Sequence, residues 1–97
     1  MSDEIGPGSL KCVSVWSPYR SLRGLIQTTL AGRLRIEDVH HLYGDVYLVY
    51  TDAEPAAIRD WLAPGLAGDE SVFVVEFERW SAAGPAADQR WLLRRGH

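Results

Sequence analysis

Glu76 and Glu78 stand two residues apart in a stretch, 71–80, that alternates as a strand does. At that spacing both carboxylates share one face with α-carbons about 7 Å apart, so they can divide acid and base roles if their surroundings differ. Charges placed this way at a sheet edge also discourage edge-to-edge aggregation, which is the stronger reading of the pair. His40 and His41 are adjacent and face opposite ways on a strand, so they do not share a metal, and the third histidine is His97. No His, Cys and Asp grouping has the spacing of a zinc site, so no metal and no other cofactor is expected, and the histidines read as pH-sensitive surface residues. Cys12, within Leu-Lys-Cys-Val-Ser-Val-Trp, reads as a buried thiol acting as a small hydrophobe. No serine lies in Gly-x-Ser-x-Gly, and Ser17 before Pro18 is better explained as a helix cap. The glycines of Gly6-Pro7-Gly8-Ser9-Leu10-Lys11 precede a strand, whereas a phosphate loop needs Gly-Lys-Ser/Thr after one. No catalytic residue is therefore assigned, and the chain leans away from being an enzyme.

Charge is unevenly distributed. The net charge is -3, but residues 1–78 carry six Lys or Arg against twelve Asp or Glu, while 79–97 carry four Arg against one Asp. Arg90, Arg94 and Arg95 thus form a basic end on an acidic body, suited to an anion or to the acidic body of a second copy. The overall sign argues against a dedicated nucleic-acid binder, whose affinity rests on neutralising phosphates.

The elements that must position these groups follow from periodicity. At 97 residues, with 46% hydrophobic and 24% charged, the chain has the composition of one ordinary globular domain. Residues 10–16 form a strand with apolar side chains on both faces, which suggests a central place. Ser17-Pro18 opens a helix carrying Leu22, Leu25, Ile26, Thr29 and Leu30, ended by Gly32, and Gly24 within it suggests a close approach to another backbone. Residues 34–42 make a weaker strand, interrupted at Glu37-Asp38, and Gly44-Asp45 turns it back into the strand at 45–51. Pro55 opens a second helix with Ile58, Trp61 and Leu62 on its apolar stripe, and Pro64-Gly65 stops it. The last strand spans 71–80, with Phe73, Val75 and Phe77 on one face and Val72, Val74, Glu76 and Glu78 on the other. A small-residue linker then leads to an amphipathic segment at 86–95.

The expected fold is α+β, a ferredoxin-like βαββαβ sandwich: a four-stranded antiparallel sheet with two helices on one face, plus a C-terminal arm. The expected division is a flexible tail at 1–9, the domain at 10–80 and the arm at 81–97. On the uncovered face an apolar and aromatic interface of Trp16, Tyr47, Val49, Val72 and Val74 is expected, covered by a second copy or by the chain's own arm. The RNA-binding consensus on such a sheet needs a basic residue and a glycine that Asp45-Val46-Tyr47-Leu48-Val49-Tyr50 lacks. The acidic N-terminus reads as neither signal peptide nor membrane anchor, which predicts a cytoplasmic location.

Gly68-Asp69-Glu70-Ser71-Val72-Phe73-Val74-Val75, together with the element order over about 10–80 and the trailing arm, resembles the final core strand and layout of Cas2-like proteins of CRISPR systems. The resemblance implies a homodimer that acts on or scaffolds nucleic acid. The family's metal-binding aspartate would fall near Val15, Trp16 or Ser17, none of which is acidic, so the resemblance implies an adaptor rather than a nuclease. The leading expectation remains a non-catalytic homodimeric domain working through protein interaction or small-ligand regulation. The alternatives are the nucleic-acid adaptor and a small dimer-interface enzyme using Glu76 or Glu78.

Overall fold

The structure is a computed structural model and describes residues 7–96. Its elements are β1 (Ser9–Trp16), α1 (Arg23–Ala31), β2 (Val39–Tyr43), β3 (Val46–Thr51), α2 (Pro55–Leu62), β4 (Ser71–Phe77) and α3 (Gln89–Gly96), with 3₁₀ turns at Ile36–Asp38 and Ala63–Gly65. The fold is α+β. Its sheet is antiparallel throughout, in the order β2-β3-β1-β4. Residues 1–6 of the expected tail lie outside the described residues.

β1 is central because it can bury both faces. Val13 and Val15 point into the main core, built with Tyr47 and Val49 of β3, Ile26 and Leu30 of α1, and Ile58 and Leu62 of α2. Leu10 points the other way and packs with Leu48 of β3 and Leu92 of α3. The arm therefore folds back onto its own sheet. Among the described residues, no helix is long and apolar enough to cross a membrane.

Several local expectations are corrected. α1 starts at Arg23, and Ser17 does not cap it. The Ser17 hydroxyl instead accepts from the backbone N–H groups of Tyr19 and Arg20 in a separate turn and donates to Glu70 Oε2 at 2.9 Å. Asp45, from the β2–β3 hairpin, takes over at the helix start by accepting from Leu22 N–H at 3.1 Å. Gly24 has open space where a Cβ would lie, so it marks no close approach; the close approach to another backbone is at Gly8, where a Cβ would meet the Thr51 carbonyl carbon at 2.8 Å. The strand expected over 34–42 is shortened to Val39–Tyr43, because Ile36–Asp38 forms the 3₁₀ turn. β4 ends at Phe77, short of the expected 80. The hairpin turn at Gly44-Asp45 is as read, with Gly44 at φ +51°, a value glycine adopts without the penalty of a Cβ.

The face assignment is the larger correction. Tyr47 and Val49, expected on an open surface, are buried under α1 and α2, and Val72 and Val74 pack against that same core. The cause is register: Val13 pairs with both Tyr47 and Val74, so these side chains share the helix-covered face. Of the five expected interface residues, Trp16 lies on the other face.

Candidate functional site

The face turned away from α1 and α2 is covered at one end and open at the other. Pairing sets Leu10 between Tyr50 and Phe77, Cys12 between Leu48 and Val75, and Ser14 between Val46 and Phe73, with Trp16 opposite Ser71. At the Leu10 end, α3 lays Leu92 onto Leu10 and Leu48, and Trp80, Ala82 and Trp91 pack around them. At the Trp16 end none of the described residues covers the sheet. Trp16 is 58% exposed, Phe73 65% and Val75 38%, with Tyr43 at 60% on the margin where a bulge disturbs β2. Cys12, Ser14 and Val46 lie between them, so this half of the face carries no charged side chain. Burial pushes the Cys12 thiol up, which keeps it protonated and a poor nucleophile at neutral pH.

The arm is held by specific polar contacts. Asp88 Oδ1 accepts from Trp91 N–H at 3.2 Å and so caps the first turn of α3. Trp91 donates from Nε1 to Glu37 O at 2.8 Å, and its ring stacks on His40 with centroids 5.5 Å apart. Arg95 lies over the Trp91 ring at 4.7 Å and donates from Nη2 to Glu37 O at 2.6 Å and from Nε to Asp38 Oδ1 at 3.1 Å. The expected trio of contact arginines is thus divided: Arg95 is buried and committed within the chain, while Arg90 and Arg94 are exposed.

The carboxylates separate as well. Glu76 pairs across the sheet with Lys11 and accepts from Ser9 Oγ at 2.7 Å. Lys11 is itself buried, donating from Nζ to Ser9 Oγ and to Thr51 O, both at 2.7 Å. Glu78 lies beyond the end of β4 and lines an open cleft of about 480 Å³ with Arg79, Arg95 and Tyr50, which Glu76 does not line. The two glutamates therefore do not frame a common reaction space. Among the described residues, no group of three or more His, Cys, Asp or Glu is placed to hold a metal ion.

Three features were not singled out from sequence. Phe73, Val75 and Tyr43 join Trp16 on the open half-face; the alternation of β4 had grouped Phe73 with Val75, but not on that side. Glu70 is buried and receives Arg20 Nε at 2.5 Å and Nη2 at 2.6 Å, a pairing between residues fifty positions apart. On the helix-covered side, the half-buried His41 ring packs against Tyr47 with centroids 4.8 Å apart, and its Nε2 meets Gly44 O at 2.9 Å. No family model, no curated protein and no solved structure matches the chain.

Proposed function

We propose that this chain is a ferredoxin-like domain that acts without catalysis, by pairing with a second copy of itself across the open half of its sheet. The strand order, with two crossing helices on one face, supports the ferredoxin-like assignment. The observation that carries the pairing is the joint exposure of Trp16, Phe73 and Val75 on a half-face without charge. An uncharged surface offers no anchor to phosphate or to acidic lipid. It is complementary to an equally uncharged one, and a two-fold pairing supplies that surface from the same residues. Each large apolar side chain removed from water contributes about 1.5 to 3 kcal/mol, and in a two-fold pair each counts twice against the cost of association. The nucleic-acid adaptor reading is less well supported, because Arg95 is engaged with Asp38 and Glu37.

Light scattering across a salt series, with and without a duplex oligonucleotide, tests the proposal. The expected result is a dimer that persists at high salt and ignores the oligonucleotide. Phe73→Asp, a change at an exposed position, is expected to weaken pairing by at least about 100-fold, because the charge would be buried twice without a partner. A monomer at high micromolar concentration would sink the proposal, and a salt-sensitive complex with the oligonucleotide would favour the adaptor reading.

A further inference from the structure

β4 forms one margin of the sheet, and among the described residues no strand lies beyond it. Its outer edge carries backbone N–H and C=O groups that β1 does not pair, because an antiparallel strand turns alternate residues toward either side. Such an edge is a template for another strand, and it is blunted in single chains by a bulge, a proline, a lysine or brevity. β2, on the opposite margin, has two of these devices: it is five residues long, and its register shifts between His41 and Tyr43. β4 has none of them. Its seven residues, Ser-Val-Phe-Val-Val-Glu-Phe, pair with β1 one for one from Ser71 to Phe77, and Glu76 is their one charge. Val74 packs against the main core yet is only half-buried, and Phe73 and Val75 on the other face are exposed, as befits a strand left open at its side.

The strand is also its own complement. A two-fold axis perpendicular to the sheet sets residues equally far before and after the axis opposite one another, both on the same face. With the axis at Val74, the midpoint of Ser71–Phe77, two copies of β4 pair along their whole length. Phe73 then meets the partner's Val75 on each side of the axis, an aromatic and β-branched pair of the kind that stabilises sheets. Glu76 falls opposite the partner's Val72, and the two Glu76 residues stand four positions apart along the seam, about 13 Å. An axis at Val75 shortens the overlap and brings the two glutamates within two positions of each other. An axis at Phe73 sets Glu76 opposite the partner's Glu70, a like charge.

We propose that two copies join edge to edge along β4, antiparallel and centred on Val74, so that their four-stranded sheets become one sheet of eight strands. The inference rests on the reading that the chain pairs with itself, and it names the line along which the copies meet. The two-fold keeps both open half-faces on one side, where Phe73 and Val75 of each chain close the seam.

Hydrogen exchange on the ¹⁵N-labelled full chain, read beside light scattering at the same concentrations, tests the edge contact. In the single chain every second amide of β4 faces solvent; in the pair those amides bond to the partner. They are expected to exchange at least about 30-fold more slowly where light scattering finds a dimer than after dilution to monomer. The amides of β4 that bond to β1 should change little. Phe73→Asp should remove the concentration dependence while those β1-facing amides stay protected, which shows that the variant is folded. In a sample mixed from labelled and unlabelled chains, an isotope-filtered NOE is expected between Val74 and the partner's Val74. Val74 lies on the helix-covered side, so stacking of the open faces does not bring these two together. A dimer whose outward amides stay fast overturns the edge contact and leaves self-pairing intact, whereas a monomer at high micromolar concentration removes both. Slowed amides with a contact between the two Phe73 or the two Val75 residues, in place of Val74, would overturn the register.

Discussion

Glu70 is a carboxylate that has given up contact with water for a ring of donors. Arg20 reaches it through two nitrogens, Ser17 through its hydroxyl, and Ala67 through a backbone N–H at 2.7 Å. The Arg20 guanidinium, above all, lowers its pKa to about 2; burial works in the opposite direction, and the Ala67 and Ser17 contacts add to the lowering. The folded pKa is thus below that of the unfolded chain. Its contribution is fully present above the ordinary glutamate range of about 4.5 and is lost as pH falls toward about 2. Glu70→Gln is expected to lower the urea midpoint at neutral pH, with the gap to the parent closing across that acidic window. A gap of constant size would mean that the ion pair is not its source. None of this was legible in the sequence, where Glu70 directly precedes the strand expected at 71–80 and Ser17-Pro18 reads as a helix start. Local pattern cannot reveal that the Ser17 hydroxyl is claimed by a residue fifty-three positions away.

The element that most changes the molecule is α3. Its amphipathic pattern was readable, as were α2 with Pro55 in its first turn and the hairpin at Gly44-Asp45. Which face of the sheet the helices cover was not. The apolar residues of β3 and β4 fall on both sides because α3 seals part of the second face, and a strand apolar on both sides carries no register signal. Tyr47, expected on the uncovered face, and its neighbour Leu48, on the opposite face, are both buried, in different clusters. Leu92→Ala removes the side chain that joins α3 to Leu10 and Leu48, at an expected cost of about 2 kcal/mol or more. That cost should appear as faster hydrogen exchange in α3, by about 30-fold, with little change in the amides that pair β1 with β3. Equal acceleration everywhere would mean that α3 unfolds only with the whole domain.

At the scale of the whole molecule, the order strand, helix, strand, strand, helix, strand was enough to anticipate an α+β fold with a four-stranded antiparallel sheet, because each helix must carry the chain back across the sheet. What the sheet does was not recoverable in the same way, since one architecture serves many unrelated roles. Cys12 offers a reporter for self-association. It sits on the face shared with Phe73 and Val75, half-buried, with a thiol raised by burial. Its reaction with a disulfide reagent is expected to be slow at neutral pH, to quicken as pH rises past the ordinary thiol range, and to slow with increasing protein concentration. Phe73→Asp should remove only the concentration dependence, as stopped absorbance measurements would reveal; a rate indifferent to concentration in the parent would count against pairing through this face. The central place of β1 also governs how the chain comes into being. Both neighbours of this first strand are made after it, β3 by residue 51 and β4 by residue 77. During synthesis one edge of β1 stays unpaired until β4 has emerged. A nascent chain stopped before Phe77 would carry Val13 and Val15 on an open edge, ready to pair with the wrong strand, so prompt completion of translation is itself a safeguard against aggregation.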